Sequence, residues 1–180
     1  MTEEERQKVL ERIKNGESLE NMSEEAKNDP EIVLEAVRKH GYALKYASEE
    51  LRNNPEIVLE AVNSHGNALQ YASEELRSNS EIVTEAVRCG GRVKYASEKL
   101  KEELENNPEL LLHLTIWDEG ALAYASEELR NNPKMMLKAV ENNGFALKYA
   151  GEELRNNPEI VLEALKTGFR KYFARCRRRG

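Results

Sequence analysis

Apolar residues recur along the chain in short clusters, and most clusters follow the same short polar segment, an Asn or Asp before a proline. In the stretch YASEELRNNPEIVLEAV, which begins at Tyr46, the side chains of Ile57, Val58, Ala61 and Val62 share one face of a helix. Polar residues fill the opposite face. The alternation with period two that is typical of strands is absent, and Leu, Glu, Ala, Lys and Arg dominate. The pattern therefore predicts α-helices and no sheet.

The polar residues, prolines and glycines between the clusters also predict where these helices begin and end. Asn54 is a preferred N-cap residue, and Pro55 suits the first helical position. Glycine at Gly66 then ends a helix of about three turns. A short apolar segment follows, and Ser73 can cap a further short turn whose glutamates suit the positive end of a helix. Each segment is thus predicted to hold one longer helix and one or two shorter helical pieces.

This segment is repeated along the chain at intervals of 24–29 residues. A fixed period in this range indicates a repeat array, because no copy can bury its apolar face alone and each covers its neighbour. We predict an all-α fold, a short α-solenoid of about six repeats. Residues 1–22 form a polar N-terminal cap and partial repeat, 23–168 the array, and 169–180 a basic partial repeat or tail. The repeats begin at Ser23, Ser48, Ser73, Ser97, Ser126 and Gly151.

The recurring pattern G-xAL-xYAS-xEL-xNxPEIVxEAV resembles a known repeat family, the domain of unknown function 4116 (DUF4116), over roughly residues 16–172. The resemblance implies an all-helical repeat protein of a family found in protists and in effectors of intracellular bacteria, and it carries over no catalytic motif. The chain departs from the pattern at Ser80, which replaces the proline, and in the shortened CGGRVKYA. The fourth repeat also departs, because it inserts KEEL at 101–104.

Composition adds a setting but no reaction. Charged residues make up 33% of the 180 residues, hydrophobic residues 39%, and the formal charge is −6, which is typical of a soluble, mildly acidic protein. No segment approaches the roughly 20 apolar residues of a membrane span, and the first residues lack a signal-peptide pattern. We therefore expect a cytoplasmic protein, with delivery into a host cytosol left open. Cys89 and Cys176 are expected to be free thiols.

Candidate chemical groups repeat with the fold, which favours structural roles for them. The tyrosines Tyr46, Tyr71 and their equivalents resemble a ladder for stacking bases, but each lies in an apolar piece where packing is the usual role. His40 and His65 hold equivalent positions about 8–10 Å apart, too far for one zinc ion. Nucleophile and phosphate-loop motifs are missing. We expect no enzyme, no cofactor, no metal and no small-molecule substrate.

Variable residues at the ends of the longer helices suggest a surface that binds another protein. The fourth repeat places Trp117 where other repeats have polar residues, and a lone tryptophan on a polar edge is typical of an interface anchor. Alternatively, Ile116 and Trp117 fold back under the inserted turn to fill a gap. The predicted partner-binding residues are Trp117, Asp118, Glu119, Arg38, Lys39, Asn63, Ser64, Arg88, Asn142 and Asn143.

A second interpretation rests on the basic end of the chain. Residues 169–180 contain six cations and no acid, so the rest of a chain of net charge −6 carries −12. Such clusters bind nucleic acid or anionic membranes, although six charges give only a weak and salt-sensitive attraction to phosphate. We therefore rank this alternative below protein binding. Its residues are Arg170, Lys171, Arg175, Arg177, Arg178 and Arg179.

Overall fold

The computed structural model describes the backbone of residues 1–177 and the side chains of residues 1–168. The described backbone contains α-helices and short 3₁₀ helices and no strand, and the all-α repeat fold of the solenoid class is confirmed. Contacts divide the chain into an N-terminal unit, Met1–Leu100, and a C-terminal unit, Lys101–Gly180. We describe each unit by itself.

The helices of the first five repeats follow the predicted order: a short α-helix, a longer α-helix, and a 3₁₀ segment that leads into the next repeat. The sixth repeat has the two α-helices, and no described 3₁₀ segment follows them. The α-helices are α1 (Glu3–Lys14), α2 (Glu24–Lys27), α3 (Pro30–Lys39), α4 (Glu49–Arg52), α5 (Pro55–Ser64), α6 (Glu74–Arg77), α7 (Ser80–Arg88), α8 (Glu98–Leu104), α9 (Pro108–Thr115), α10 (Glu127–Arg130), α11 (Pro133–Asn142), α12 (Glu152–Arg155) and α13 (Pro158–Arg177). The 3₁₀ helices are Leu19–Asn21, Gly41–Tyr46, Gly66–Tyr71, Val93–Tyr95, Glu119–Tyr124 and Gly144–Tyr149.

The longer helices begin where the predicted caps lie. The Oδ1 atom of Asn54 accepts hydrogen bonds from the backbone N–H groups of Glu56 at 3.0 Å and Ile57 at 3.2 Å. Asn79 caps α7 in the same way, at 2.9 and 3.1 Å, although Ser80 replaces the proline of the other repeats. The side-chain cap therefore suffices to start the helix without proline, because it satisfies N–H groups that have no partner inside the helix.

Successive repeats are joined by one recurring backbone hydrogen bond. The N–H of Ser48 donates to the carbonyl of Lys27 at 2.9 Å, which ties the start of α4 to the end of α2. The same bond recurs from Ser73 to Arg52 at 2.9 Å. In the fourth repeat α8 has seven residues where α4 has four, and the corresponding bond runs from Ser126 to Glu105 at 3.0 Å. The inserted turn therefore lengthens the short helix without removing the joint between repeats.

Glycines at the start of the 3₁₀ helices allow neighbouring repeats to approach closely. A Cβ atom added at Gly41 would lie 2.2 Å from the carbonyl oxygen of Ala61 in the next longer helix, which no side chain tolerates. Gly66 and Gly144 meet equivalent alanine oxygens at the same distance. None of these three glycines has a positive φ, so the left-handed conformation that commonly ends a helix is not their role.

The last longer helix does not end at its glycine. Gly168 has no atom within 4 Å of an added Cβ, and α13 continues through it to Arg177. The sequence around Gly168 imitates the start of another repeat, but the backbone there does not turn as it does after Gly41. The physical reason is that Gly41 has a following helix to pack against, whereas no described helix follows α13.

The apolar faces of the longer helices form the core, and α1 covers the first of them. The valines at one shared position of four helices are between 0% and 1% exposed: Val37, Val62, Val87 and Val140. Leu10 and Ile13 of α1 are buried, and α1 packs on α3. Arg6 adds a polar contact, because its Nε donates to Asp29 Oδ2 at 2.9 Å.

Candidate functional site

The predicted partner-binding residues are divided equally between the two units, and the structure exposes half of them. Each unit contains five of the ten, at or just after the ends of its longer helices. Arg38, Lys39, Asn63, Arg88 and Trp117 are exposed, Ser64, Glu119 and Asn142 are half-buried, and Asp118 and Asn143 are buried.

Trp117 lies on the surface of the C-terminal unit. The residue follows the end of α9, is 40% exposed, and stands beside Ile116, which is also 40% exposed. Its ring lies 5.4 Å from the ring of His113, one turn earlier, with an angle of 51° between the planes. Leu114, between them in sequence, is fully buried. The indole is therefore held against its own helix and leaves much of its surface open to solvent.

Buried polar side chains hold the backbone next to Trp117 in place. Asp118 is 3% exposed, and its Oδ1 accepts a hydrogen bond from the N–H of Gly120 at 3.1 Å, which caps the following 3₁₀ helix. Asn143 is 4% exposed, and its Nδ2 donates to Glu119 Oε2 at 3.2 Å. Asn142 Nδ2 donates to the carbonyl of Leu112 at 2.8 Å. These hydrogen bonds fix the backbone of the segment that follows Trp117.

In the N-terminal unit, Arg38, Lys39 and Ser64 make contacts with neighbouring segments of the array. Arg38 Nε lies 3.4 Å from Glu60 Oε2, and Lys39 Nζ donates to the carbonyl of Lys14. Ser64 Oγ accepts a hydrogen bond from the N–H of Gly41 at 3.2 Å. The charged heads of Arg38 and Lys39 stay exposed while they bridge repeats. Such exposed pairs add little stability, so their main effect is to fix where the charges lie.

Arg88, Glu85 and Cys89 form a small cluster at the end of α7. Hydrogen bonding to Arg88 Nε, at 2.8 Å, holds the pKa of Glu85 below its ordinary value. Burial, together with the nearby Glu85 carboxylate, raises the pKa of the Cys89 thiol. Cys89 is a free thiol, as predicted, and its raised pKa disfavours the reactive thiolate at neutral pH. The side chain of Cys176 lies outside the described residues.

An aromatic cleft in the N-terminal unit was not predicted. The exposed ring of Tyr42 lies 5.1 Å from the ring of His65 and 6.2 Å, edge to face, from that of Tyr71. The adjoining cleft has a volume of about 430 Å³ and is lined in part by Lys39 and Lys45. A sequence signal exists, because the second residue of equivalent 3₁₀ helices varies among Tyr42, Asn67 and Phe145.

The repeated histidines and tyrosines make contacts within the scaffold. The rings of His40 and His65 are 6.5 Å apart, closer than the spacing we expected. His65 is half-buried, and its Nδ1 accepts a hydrogen bond from the N–H of Gly41 in the preceding repeat at 3.2 Å. Among the described side chains, no group of three or more His, Cys, Asp or Glu residues is arranged to hold a metal ion.

The tyrosine ladder is half-buried along its described length. Lysine ammonium groups lie 4.8–5.6 Å from the ring centres of four of these tyrosines. The pKa of Tyr46 is raised above its ordinary value, mainly by a hydrogen bond to Glu20 and secondly by burial. These tyrosines are thus partly covered by their own neighbours. The described members of the ladder are Tyr46, Tyr71, Tyr95, Tyr124 and Tyr149.

Most of the residues predicted to bind nucleic acid or membrane in the alternative interpretation have their backbone in α13. Arg170, Lys171, Arg175 and Arg177 lie in this helix, but their side chains are outside the described residues, as are Arg178 and Arg179 altogether. Within the described part of the chain, none of the helices combines the length and apolar character needed to cross a bilayer.

Comparison with known families gives one result, and it concerns the whole repeat array. The model of the family described as "Domain of unknown function (DUF4116)" matches four times, at residues 6–52, 54–101, 104–155 and 132–170. The matches together cover most of the chain, and the first three each have the length of about two of the repeats described above. No curated protein and no solved structure matches the chain.

Proposed function

The chain belongs to the DUF4116 family, and from this premise we propose that it is a non-catalytic protein–protein interaction module, an adaptor or an inhibitor. Under this proposal the repeats supply a rigid scaffold, and a partner protein contacts the side chains that differ from one repeat to the next. No reaction is assigned to the chain, and the proposal requires no cofactor.

The observation that carries the proposal is the exposure of Trp117. A tryptophan buries a large apolar area on binding, and few polar groups oppose its desolvation, which is why this residue dominates many interfaces. Here the ring is 40% exposed, beside an equally exposed Ile116, on the surface of a chain in which 33% of the residues are charged. The pair offers an apolar contact of the kind that forms the core of an interface.

The hydrogen bonds beneath Trp117 support binding by rigid presentation. Asp118 caps the next 3₁₀ helix, and the side chains of Asn142 and Asn143 tie two successive repeats together. The segment that carries the indole is therefore already ordered before a partner arrives. A partner then loses less free energy to ordering of this surface than it would on a mobile loop.

The N-terminal unit offers a second contact area for the same kind of partner. Tyr42 is exposed, and it stands with Lys39 and Lys45 at a cleft of about 430 Å³. The lining also contains Glu17, and an aromatic ring beside two cations and one acid suits a polar or aromatic side chain of a partner protein. We treat this cleft as a contributor to binding and Trp117 as the anchor.

Affinity capture with matched variants tests the proposal. The immobilised chain and its variants Trp117→Ala and Phe145→Ala are each exposed to the same lysate. The captured proteins are quantified by mass spectrometry. Phe145 is the control, because it is an exposed aromatic of the same unit outside the predicted surface. We expect one partner to be reduced at least about tenfold by Trp117→Ala alone, since loss of an interface anchor costs 2 kcal/mol or more. Equal capture by all three chains would contradict the proposal.

The second candidate function is binding to nucleic acid or anionic membrane through the tail. The observation that favours it is the run of six cations without an acid in residues 169–180. Titration with single-stranded RNA and with phosphatidylserine vesicles compares the full chain with one that ends at Gly168. Under our proposal, neither titration depends on the tail and partner capture survives its removal. Binding that disappears with the tail would favour the alternative.

The cellular setting also belongs to the proposal. We place the module in the cytoplasm, and the resemblance to effector repeats suggests a host cytosol as one such compartment. Fractionation of cells that express the tagged chain tests this placement. Recovery of the chain in the membrane pellet at physiological salt would contradict it.

A further inference from the structure

The aromatic cleft lies inside a joint of the N-terminal unit, where α1 and α3 meet the first three 3₁₀ helices. Its lining includes the buried apolar side chains of Ile13, Leu19 and Ala36. Its volume of about 430 Å³ is at the small end of the range for ligand sites, which suits one large side chain of a partner. The rings that complete the lining are those of His40, Tyr42, Tyr46 and Tyr71.

The ring of Tyr42 is held by its neighbours and is still 42% exposed. It lies 5.1 Å from the ring of His65 and 6.2 Å, edge to face, from that of Tyr71. Aromatic rings attract one another at centre-to-centre distances of about 4.5–7 Å, so a ring that enters the cleft can extend this cluster. The next repeat has Asn67 at the position of Tyr42, so the cluster belongs to this joint alone among the first two.

Two lysines bring positive charge to the cleft, and within residues 1–168 their contacts are with neutral groups. Lys39 Nζ donates to the carbonyl of Lys14 at the end of α1. Lys45 Nζ lies 5.4 Å from the centre of the Tyr46 ring. The hydroxyl of Tyr46 donates to Glu20, an acid outside the lining. Both ammonium groups are therefore placed at the cleft without a carboxylate partner of their own.

The one acid of the lining, Glu17, does not neutralise these lysines, because it is bound by an arginine of α1. Arg12 Nε and Nη2 donate to the two carboxylate oxygens of Glu17 at 2.8 and 2.6 Å. The C-terminal unit shows the other arrangement: Glu119, which begins its 3₁₀ helix, lies 3.4 Å from Lys148 Nζ. Lys148 is the equivalent of Lys45. Arg12 therefore leaves Lys45 available for a carboxylate from outside.

We propose that the aromatic cleft binds an aromatic side chain of the partner protein that has an acidic residue next to it in sequence. The inference rests on the proposed function as a protein-binding module, and it assigns a chemistry to the partner at this one site. The apolar lining and the ring of Tyr42 favour an aromatic group, because burial of its area and ring contact both contribute. Lys39 and Lys45 favour an adjacent carboxylate and disfavour a basic neighbour, which selects among aromatic segments.

Titration of the ¹⁵N-labelled full chain with capped tripeptides, followed by NMR, tests this chemistry. The probes are acetyl-Glu-Trp-Glu-amide, its charge-reversed form acetyl-Lys-Trp-Lys-amide, and acetyl-Glu-Ala-Glu-amide, which lacks the ring. We expect the first to shift the amide signals of Tyr42 and Tyr71 with a Kd at least about tenfold lower than that of the second, because two attractions replace two repulsions. The third should shift neither signal. Equal affinity of the acidic and basic peptides, or no shift at Tyr42 with any peptide, would overturn the proposal.

Variants that borrow residues from the next repeat test the site without disturbing the fold. Tyr42→Asn and Lys45→Gln introduce the residues that stand at the equivalent positions, Asn67 and Gln70. We expect Tyr42→Asn to raise the Kd of acetyl-Glu-Trp-Glu-amide at least about tenfold, and Lys45→Gln about twofold to fivefold, as an exposed ion pair contributes modestly. Phe145→Asn makes the matching change in the C-terminal unit and should leave the Kd unchanged. Unchanged affinity in Tyr42→Asn, with a folded amide spectrum, would contradict the assignment.

The peptide titration and the affinity capture fail independently of each other. If Trp117→Ala reduces capture of a partner but the acidic peptide shows no preference for the cleft, the proposed function stands and the chemistry assigned to the cleft is wrong. If the acidic peptide binds in a Tyr42-dependent way and no captured protein depends on Trp117, the cleft assignment is supported and the anchor role of Trp117 fails.

Discussion

At the scale of single residues, exposure separates the side chains that hold the fold from those available to a partner. Leu114 and Trp117 lie three residues apart at the end of α9, yet the first is fully buried and the second is 40% exposed. Asp118, next in sequence, is buried and caps a 3₁₀ helix. The sequence predicted both Trp117 and Asp118 as binding residues, because a sequence pattern shows which residues differ between repeats and not which way each side chain points.

The stability of two variants tests this separation. Trp117→Ala removes a surface ring whose described ring contact is with His113, and we expect the melting temperature to change by less than about 3 °C. Leu114→Ala creates a cavity in the core and should cost about 2–5 kcal/mol, which lowers the melting temperature by about 5–15 °C. Thermal unfolding followed by circular dichroism measures both. Comparable losses in the two variants would place Trp117 in the core.

At the scale of helices, the boundaries follow from local capping chemistry, which is why the sequence predicts them. The Asn54 and Asn79 side chains bond the first free N–H groups of α5 and α7, and no distant contact is needed for this. The end of α13 could not be predicted in the same way. Gly168 resembles Gly41 in sequence, but a glycine ends its helix here only where the next repeat packs against it.

The N-cap of α5 provides the test at this scale. Asn54→Ala leaves two N–H groups without their partner and should cost about 1 kcal/mol, or about 2–4 °C in melting temperature. Asn54→Asp should retain full stability, because Asp29 already makes the same two bonds at the start of α3, at 3.0 and 3.1 Å. Chemical unfolding with urea measures the difference. Equal stability of the alanine and aspartate variants would show that the cap contributes nothing.

At the scale of the whole molecule, the sequence predicts the architecture better than the binding surface. A period of 24–29 residues with a constant apolar face is sufficient to indicate stacked repeats, since each copy must cover the next. The surface depends instead on contacts between repeats, such as those of Ser64 with Gly41 and of Asn143 with Glu119, 23 and 24 residues apart. The aromatic cleft at Tyr42 also depends on rings from two repeats, Tyr42 and Tyr71. Such pairs have no signature within a single repeat.

The central claim is that each repeat is fastened to the one before it, so that the side chains that differ between repeats are held in fixed positions on the surface. Backbone hydrogen exchange measured by NMR at the joining N–H groups tests it most directly. We predict that these groups exchange at least about a hundredfold more slowly than in an unstructured peptide, which corresponds to a local opening free energy of about 2.7 kcal/mol. The groups are those of Ser48, Ser73, Ser97, Ser126 and Gly151, each bonded to the preceding repeat at 2.9–3.0 Å. Exchange at peptide rates in these groups, with the longer helices still protected, would show that the repeats are not joined and would contradict the account.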